Sequence, residues 1–196
     1  MKSVYYSMVQ MACQASERGD TICGMSNEIS ALYKHILATV LEWRLKLGLP
    51  REGLWLNYPR EEVEDLWGAP FDEGARLALA KEARPTLGEL VWQDKGDHLK
   101  VFVPKEGVAF ASTLSPDPFL VKLIETSRDP FLTMEGVEAL FAPYPHTVCP
   151  LPDDVDAKVY HVEGDDMVYV FDDHDGLVEY HRLTLAHYER LYGQRP

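Results

Sequence analysis

This sequence predicts an α+β fold: N-terminal helices packed on antiparallel β-meander strands, with a short helix at the C-terminus. Three observations predict it. Apolar residues recur at three- and four-residue steps from Ile29 to Leu41, the period changes to two beyond Leu87, and short Asp/Gly/Lys/Glu clusters punctuate the later segments as turns. The natural division is a helical part, 1–84, and a meander part, 85–196, which 196 residues can combine in one compact domain.

A first helix is expected from about Val4 to Glu17, stopped by Gly19-Asp20. A second follows Ser26, where Ile29, Leu32, Tyr33, Ile36, Leu37, Val40 and Leu41 trace one stripe until Gly48 and Pro50 end it. Lys34, His35, Glu42 and Lys46 fall opposite that stripe, which predicts one wet face, and the two helices would pack as a hairpin. After a short apolar run, Leu54 to Leu56, Pro59 stands near a first helical turn, with Glu61 and Glu62 at the positive end of the helix dipole and Gly68 closing the element. A weaker helix spans Gly74 to Ala83.

Beyond Leu87, "LVWQDKGDHLKVFVPKEGVAFAS" reads as three strands divided at 94–97 and 104–107. Helices follow at Phe119 to Thr126, after Pro116-Asp117-Pro118, and at Thr133 to Phe141, where Thr133 caps and Pro143 stops. "AKVYHVEGDDMVYVFDDHDGLVEYHRL" repeats the meander with turns at 163–166 and at Asp175-Gly176, and "TLAHYERLYG" supplies the last helix.

Charge narrows the function. Nineteen basic against 32 acidic residues give −13, which repels nucleic acid and anionic membrane and attracts a basic protein surface. The first fifty residues carry five basic and four acidic side chains; the last 46 carry four and eleven and so hold −7. Three cysteines, Cys13, Cys23 and Cys149, suit a reducing, cytoplasmic compartment. The N-terminal "MKSVYYSMVQMAC" outlines a lipoprotein signal, but Ser7, Gln10 and a shortage of aliphatic residues argue against one. No run approaches the ~18 apolar residues of a membrane span.

Phosphate-cradling, dinucleotide, nucleophile-elbow and HExxH motifs are missing from the sequence, and its tyrosines lack the interleaved Lys or Arg of a single-strand platform. The chemically suggestive stretch is "FDDHDGLVEYH", 171–181. Setting Gly176 at position 6 of a calcium loop puts Phe171 at 1 and Arg182 at 12, so the EF-hand reading fails and a hairpin tip remains. In a meander the start of strand one and the second turn share an end of the sheet, so Asp153, Asp154 and Asp156 should approach Asp172, Asp173 and Asp175. Such a rim needs solvent, protons, a hard cation such as Ca²⁺ or a basic partner.

Two other groupings carry chemistry. With a two-residue turn at Asp175-Gly176, His181 pairs with Val170, and His161, Glu179 and His181 share a face, a set suited to a divalent metal in a hydrolase. His146 and Cys149 have a ligand-like gap, with Cys13 and Cys23 as the other pair. The main expectation is a non-enzymatic interaction or regulatory module that needs no cofactor, a monomer or small homo-oligomer whose acidic C-terminal edge binds a basic protein. The alternative is the metal-dependent hydrolase.

Overall fold

The computed structural model describes residues 30–48 and 52–196, so the expected 4–17 helix lies outside the described residues. The fold is α+β. Among the described residues seven helices and two antiparallel sheets follow in the order α1 (Ala31–Leu47), β1 (Leu54–Pro59), α2 (Arg60–Trp67), α3 (Glu73–Leu87), β2 (Val91–Asp94), β3 (His98–Val103), α4 (Lys105–Thr113), α5 (Pro118–Ser127), α6 (Met134–Phe141), β4 (His146–Leu151), β5 (Asp154–Val162), β6 (Met167–His174), β7 (Leu177–Thr184) and α7 (Leu185–Tyr192).

Most helix boundaries obey their caps. The Ser30 hydroxyl accepts from Tyr33 N at 3.2 Å and opens α1, Gly68 closes α2 at φ 79°, and Thr133 and Thr184 cap α6 and α7. The first sheet departs from the expected meander. "VAFAS" is not its third strand but the body of α4, and the sheet takes Leu54–Pro59 instead, in the order β1-β3-β2. Pro104 starts that helix, and Gly107 lets it approach α3, since a Cβ there would sit 2.3 Å from the Leu87 carbonyl oxygen. Leu54 pairs with Val103 and Val91 with Phe102, so one sheet draws strands from both sides of the 84/85 division.

The second sheet runs β4-β5-β6-β7 in sequence. Its Asp175-Gly176 turn has two residues at positive φ, 54° and 83°, and fixes Val170 opposite His181. β4 was not foreseen; it pairs with β5 and carries Pro150.

Burial separates the halves. One cluster runs from Leu32 to Ala111 around the first sheet. A second packs Phe119, Leu123, Val137 and Phe141 on Tyr160, Tyr169 and Phe171, and a third packs Tyr188 on Val159, Val168 and Val170 on the opposite face of the same sheet. The expected wet face of α1 is in fact covered: His35 is 9% and Glu42 6% exposed, because α1 lies between the halves. No described helix is long and apolar enough to cross a membrane.

Candidate functional site

The acidic rim is built by two tight turns. Leu151 pairs with Asp154 around Pro152-Asp153, and His174 pairs with Leu177 around Asp175-Gly176. Because β4 to β7 alternate in direction, both turns stand at one end of the sheet, and the β5–β6 register brings Lys158 opposite Phe171 toward that end. Three of the six aspartates also shape backbone or neighbouring side chains. Asp154 Oδ1 accepts from Asp156 N at 3.1 Å, Asp173 Oδ1 accepts from Gly176 N at 2.9 Å, and Asp172 Oδ2 lies 2.7 Å from His174 Nε2. Asp172 Oδ1 is buried with no hydrogen-bond partner. Lys158, a cation on β5, is held by Glu138 at 2.9 Å, and Asp172 has His174 and His181 as its neighbouring imidazoles.

His161, Glu179 and His181 share a face, as the register required, but do not converge. β6 lies between the strands that carry them and sets buried Val168 and Val170 in the gap. His161 Nε2 instead meets the Asp165 carbonyl at 2.9 Å. Among the described residues no group of three or more His, Cys, Asp or Glu side chains is placed to hold a metal ion. His161, Glu179 and His181 are thus not gathered into one ligand set among the described residues. His146 and Cys149 also part: the His146 ring lies 5.9 Å from Phe141, whereas Cys149 packs into the other cluster with its Sγ 3.9 Å from Tyr188 Oη. Three residues along a strand reverse the face, so they form no ligand pair. Cys13 and Cys23 lie outside the described residues.

Sequence reasoning missed a second polar assembly, the seam between the halves. His35, Thr39, Glu42 and Lys46 recur on one helical face of α1 and meet β7 and α2. Glu42 pairs with Arg182 and, at 2.7 Å, with Lys46; Arg182 also donates to Thr39 Oγ1 at 3.4 Å. Burial disfavours the Arg182 charge, but Glu42 together with Tyr180, Tyr169 and Tyr58 outweighs it and holds the guanidinium above its usual range. His35 Nε2 stands 3.7 Å from Glu62 Oε1, too far for a hydrogen bond. Burial raises the Glu62 carboxyl to about 7, against the pull of Arg182 and with help from Asp65. Burial, then Arg182, lowers His35 to about 3. Nearby, Arg190 ties α7 to α2 through Asp65 and Glu61, both at 2.8 Å. The signal for this assembly was the spacing 35, 39, 42, 46, a polar stripe on a helix whose other positions, Lys34 and Arg44 apart, are apolar or aromatic.

A family model of a domain of unknown function, described from an E. rectale gene as DUF3877, matches residues 29–192. The chain belongs to this family. The match starts just before α1 and ends with α7, so the family domain takes in both sheets, the rim and the seam. No curated protein and no solved structure matches the chain.

Proposed function

We propose that this DUF3877 protein is a non-enzymatic, cytoplasmic interaction or regulatory module, acting as a monomer or small homo-oligomer, whose acidic C-terminal rim binds a basic protein surface. The observation that supports it is the placement of six aspartates around two tight turns at one end of the four-stranded sheet, where Asp172 pairs with His174. A concentrated single-sign surface steers an oppositely charged partner and fixes its orientation more than it adds raw affinity. The same field disfavours nucleic acid and anionic membrane.

The test is calorimetric titration with a decalysine peptide as a basic probe, in the wild type and in a variant carrying Asp172→Asn, Asp173→Asn and Asp175→Asn. Wild-type affinity should fall about tenfold or more between low and moderate salt, and the variant should bind about tenfold more weakly at low salt. Equal affinity of the two proteins would overturn the proposal.

A further inference from the structure

The turn between α5 and α6 leaves an aromatic ring outside. Phe131 is 86% exposed, more than any other large apolar side chain of the described residues. Its backbone is nonetheless fixed: Asp129 Oδ1 accepts from Phe131 N at 2.9 Å, the Asp129 carbonyl accepts from Leu132 N at 3.1 Å, and Leu132 is buried in the second cluster. Arg128 adds a tie to α1 by donating to the Leu45 carbonyl at 2.7 Å. A ring presented from a pinned turn loses little further freedom when it is covered, and buried aromatic anchors carry much of the energy of protein contacts.

A groove of about 440 Å³ opens beside the ring, bordered by Phe131 itself, by Lys122, Glu125 and Asp129, and by Leu132 and Thr133. On α5 the buried positions are Phe119, Leu120, Leu123 and Ile124, so Lys122 and Glu125, three residues apart, share the solvent side. Both are exposed, and neither has an ion-pair partner among the described residues. Knob, hole, cation and anion thus stand side by side on one surface. A twofold axis at the groove carries each of them onto its complement: the ring of one copy faces the groove of the other, and antiparallel α5 helices set Lys122 against the partner subunit's Glu125 twice. A foreign protein would have to supply the whole set, whereas a second copy does so by symmetry. A net charge of −13 opposes association of two copies through acidic surfaces such as the rim, but this wall offers both signs.

We propose that the α5–α6 corner is a homodimer contact: two copies pack around a twofold axis, each Phe131 entering the other's groove and each Lys122 pairing with the partner's Glu125. The contact uses no residue of the acidic rim, so the rim stays open to a basic protein in the dimer. One ring and one helical turn from each copy place it among small interfaces, below about 1,200 Å², which are weak and transient. The dimer therefore forms and dissolves with concentration.

Sedimentation equilibrium of the full chain from about 10 µM to about 1 mM, at ~0.15 M salt, tests this. The wild type should pass from monomer to dimer with a dissociation constant on the order of 100 µM. Phe131→Ser should raise that constant about thirtyfold and, because the ring is exposed, leave the Tm unchanged. Lys122→Glu should raise it about fivefold, and Lys122→Glu combined with Glu125→Lys should return it to the wild-type value, since the reversed pair still meets its complement across the axis. A wild type that stays monomeric across the range, a Phe131→Ser chain that dimerises like the wild type, or a double variant no stronger than Lys122→Glu overturns the contact.

Discussion

The two sheets use the same kind of strand, alternating inward apolar and outward polar residues, but are threaded differently. In the first, β1 pairs with β3 across two intervening helices and β2, so Leu54 meets Val103. In the second, each strand turns back on its predecessor, through two-residue turns between β4 and β5 and between β6 and β7. Each sheet has its own apolar packing, the first on α1 to α4 and the second chiefly on α5, α6 and α7. Between them lie the charged seam and a smaller apolar contact, in which Leu45 of α1 packs on the second cluster. Apolar burial holds without regard to the charge of its neighbours, whereas the Glu42–Arg182 pair of the seam depends on both partners being present.

The sharpest break in this picture comes from inside a cluster. Phe141 is fully buried, stacked 4.5 Å from Tyr160 and in edge contact with Phe171, so Phe141→Ala should cost about 3–5 kcal/mol in denaturant unfolding. Next is the seam. Arg182→Met strands Glu42 with Lys46 alone and should cost about 3 kcal/mol, while adding Glu42→Leu should recover most of the loss, because two matched apolar groups replace a buried pair. A double variant as unstable as the single one would show that Arg182 contributes by packing and not by charge. Smaller again, Gly107→Ala presses a methyl against the Leu87 carbonyl and should cost about 2 kcal/mol. Thr184→Ala removes the cap that accepts from His187 N and should cost about 1 kcal/mol.

The same contrast explains what could be read from the chain. The second sheet was legible because its information is local: Asp175-Gly176 dictates its turn, and the turn dictates which residues share a face. The first was not, because β1 has no turn to β3, although the alternation Leu54, Leu56, Tyr58 against Trp55, Asn57 was there to see. "VAFAS" misled because β-branched and aromatic residues stand in α4, where tertiary contact with α3 outweighs propensity. The six rim aspartates follow from the legible sheet. The seam does not, since nothing local says that His35 and Glu42 face Glu62 and Arg182.

The smallest predicted effect tests whether burial, and not the mere presence of an ion pair, distinguishes the seam. Lys158 and Glu138 also pair across two elements, at 2.9 Å, but their side chains are 42% and 57% exposed. Arg182 and Glu42 are 13% and 8% exposed. Water and salt screen the first pair, and holding two long side chains together costs entropy, so Glu138→Ala should change stability by less than about 0.5 kcal/mol and by still less at high salt. A double-mutant cycle on each pair, repeated at low and at 1 M salt, compares them directly. The coupling of Lys158 with Glu138 should vanish within error at ~1 M salt, where the screening length is only about 3 Å, whereas that of Arg182 with Glu42 should persist. Equal salt sensitivity would mean that water reaches the seam, and the two halves would then be joined by contacts no different in kind from those on the surface.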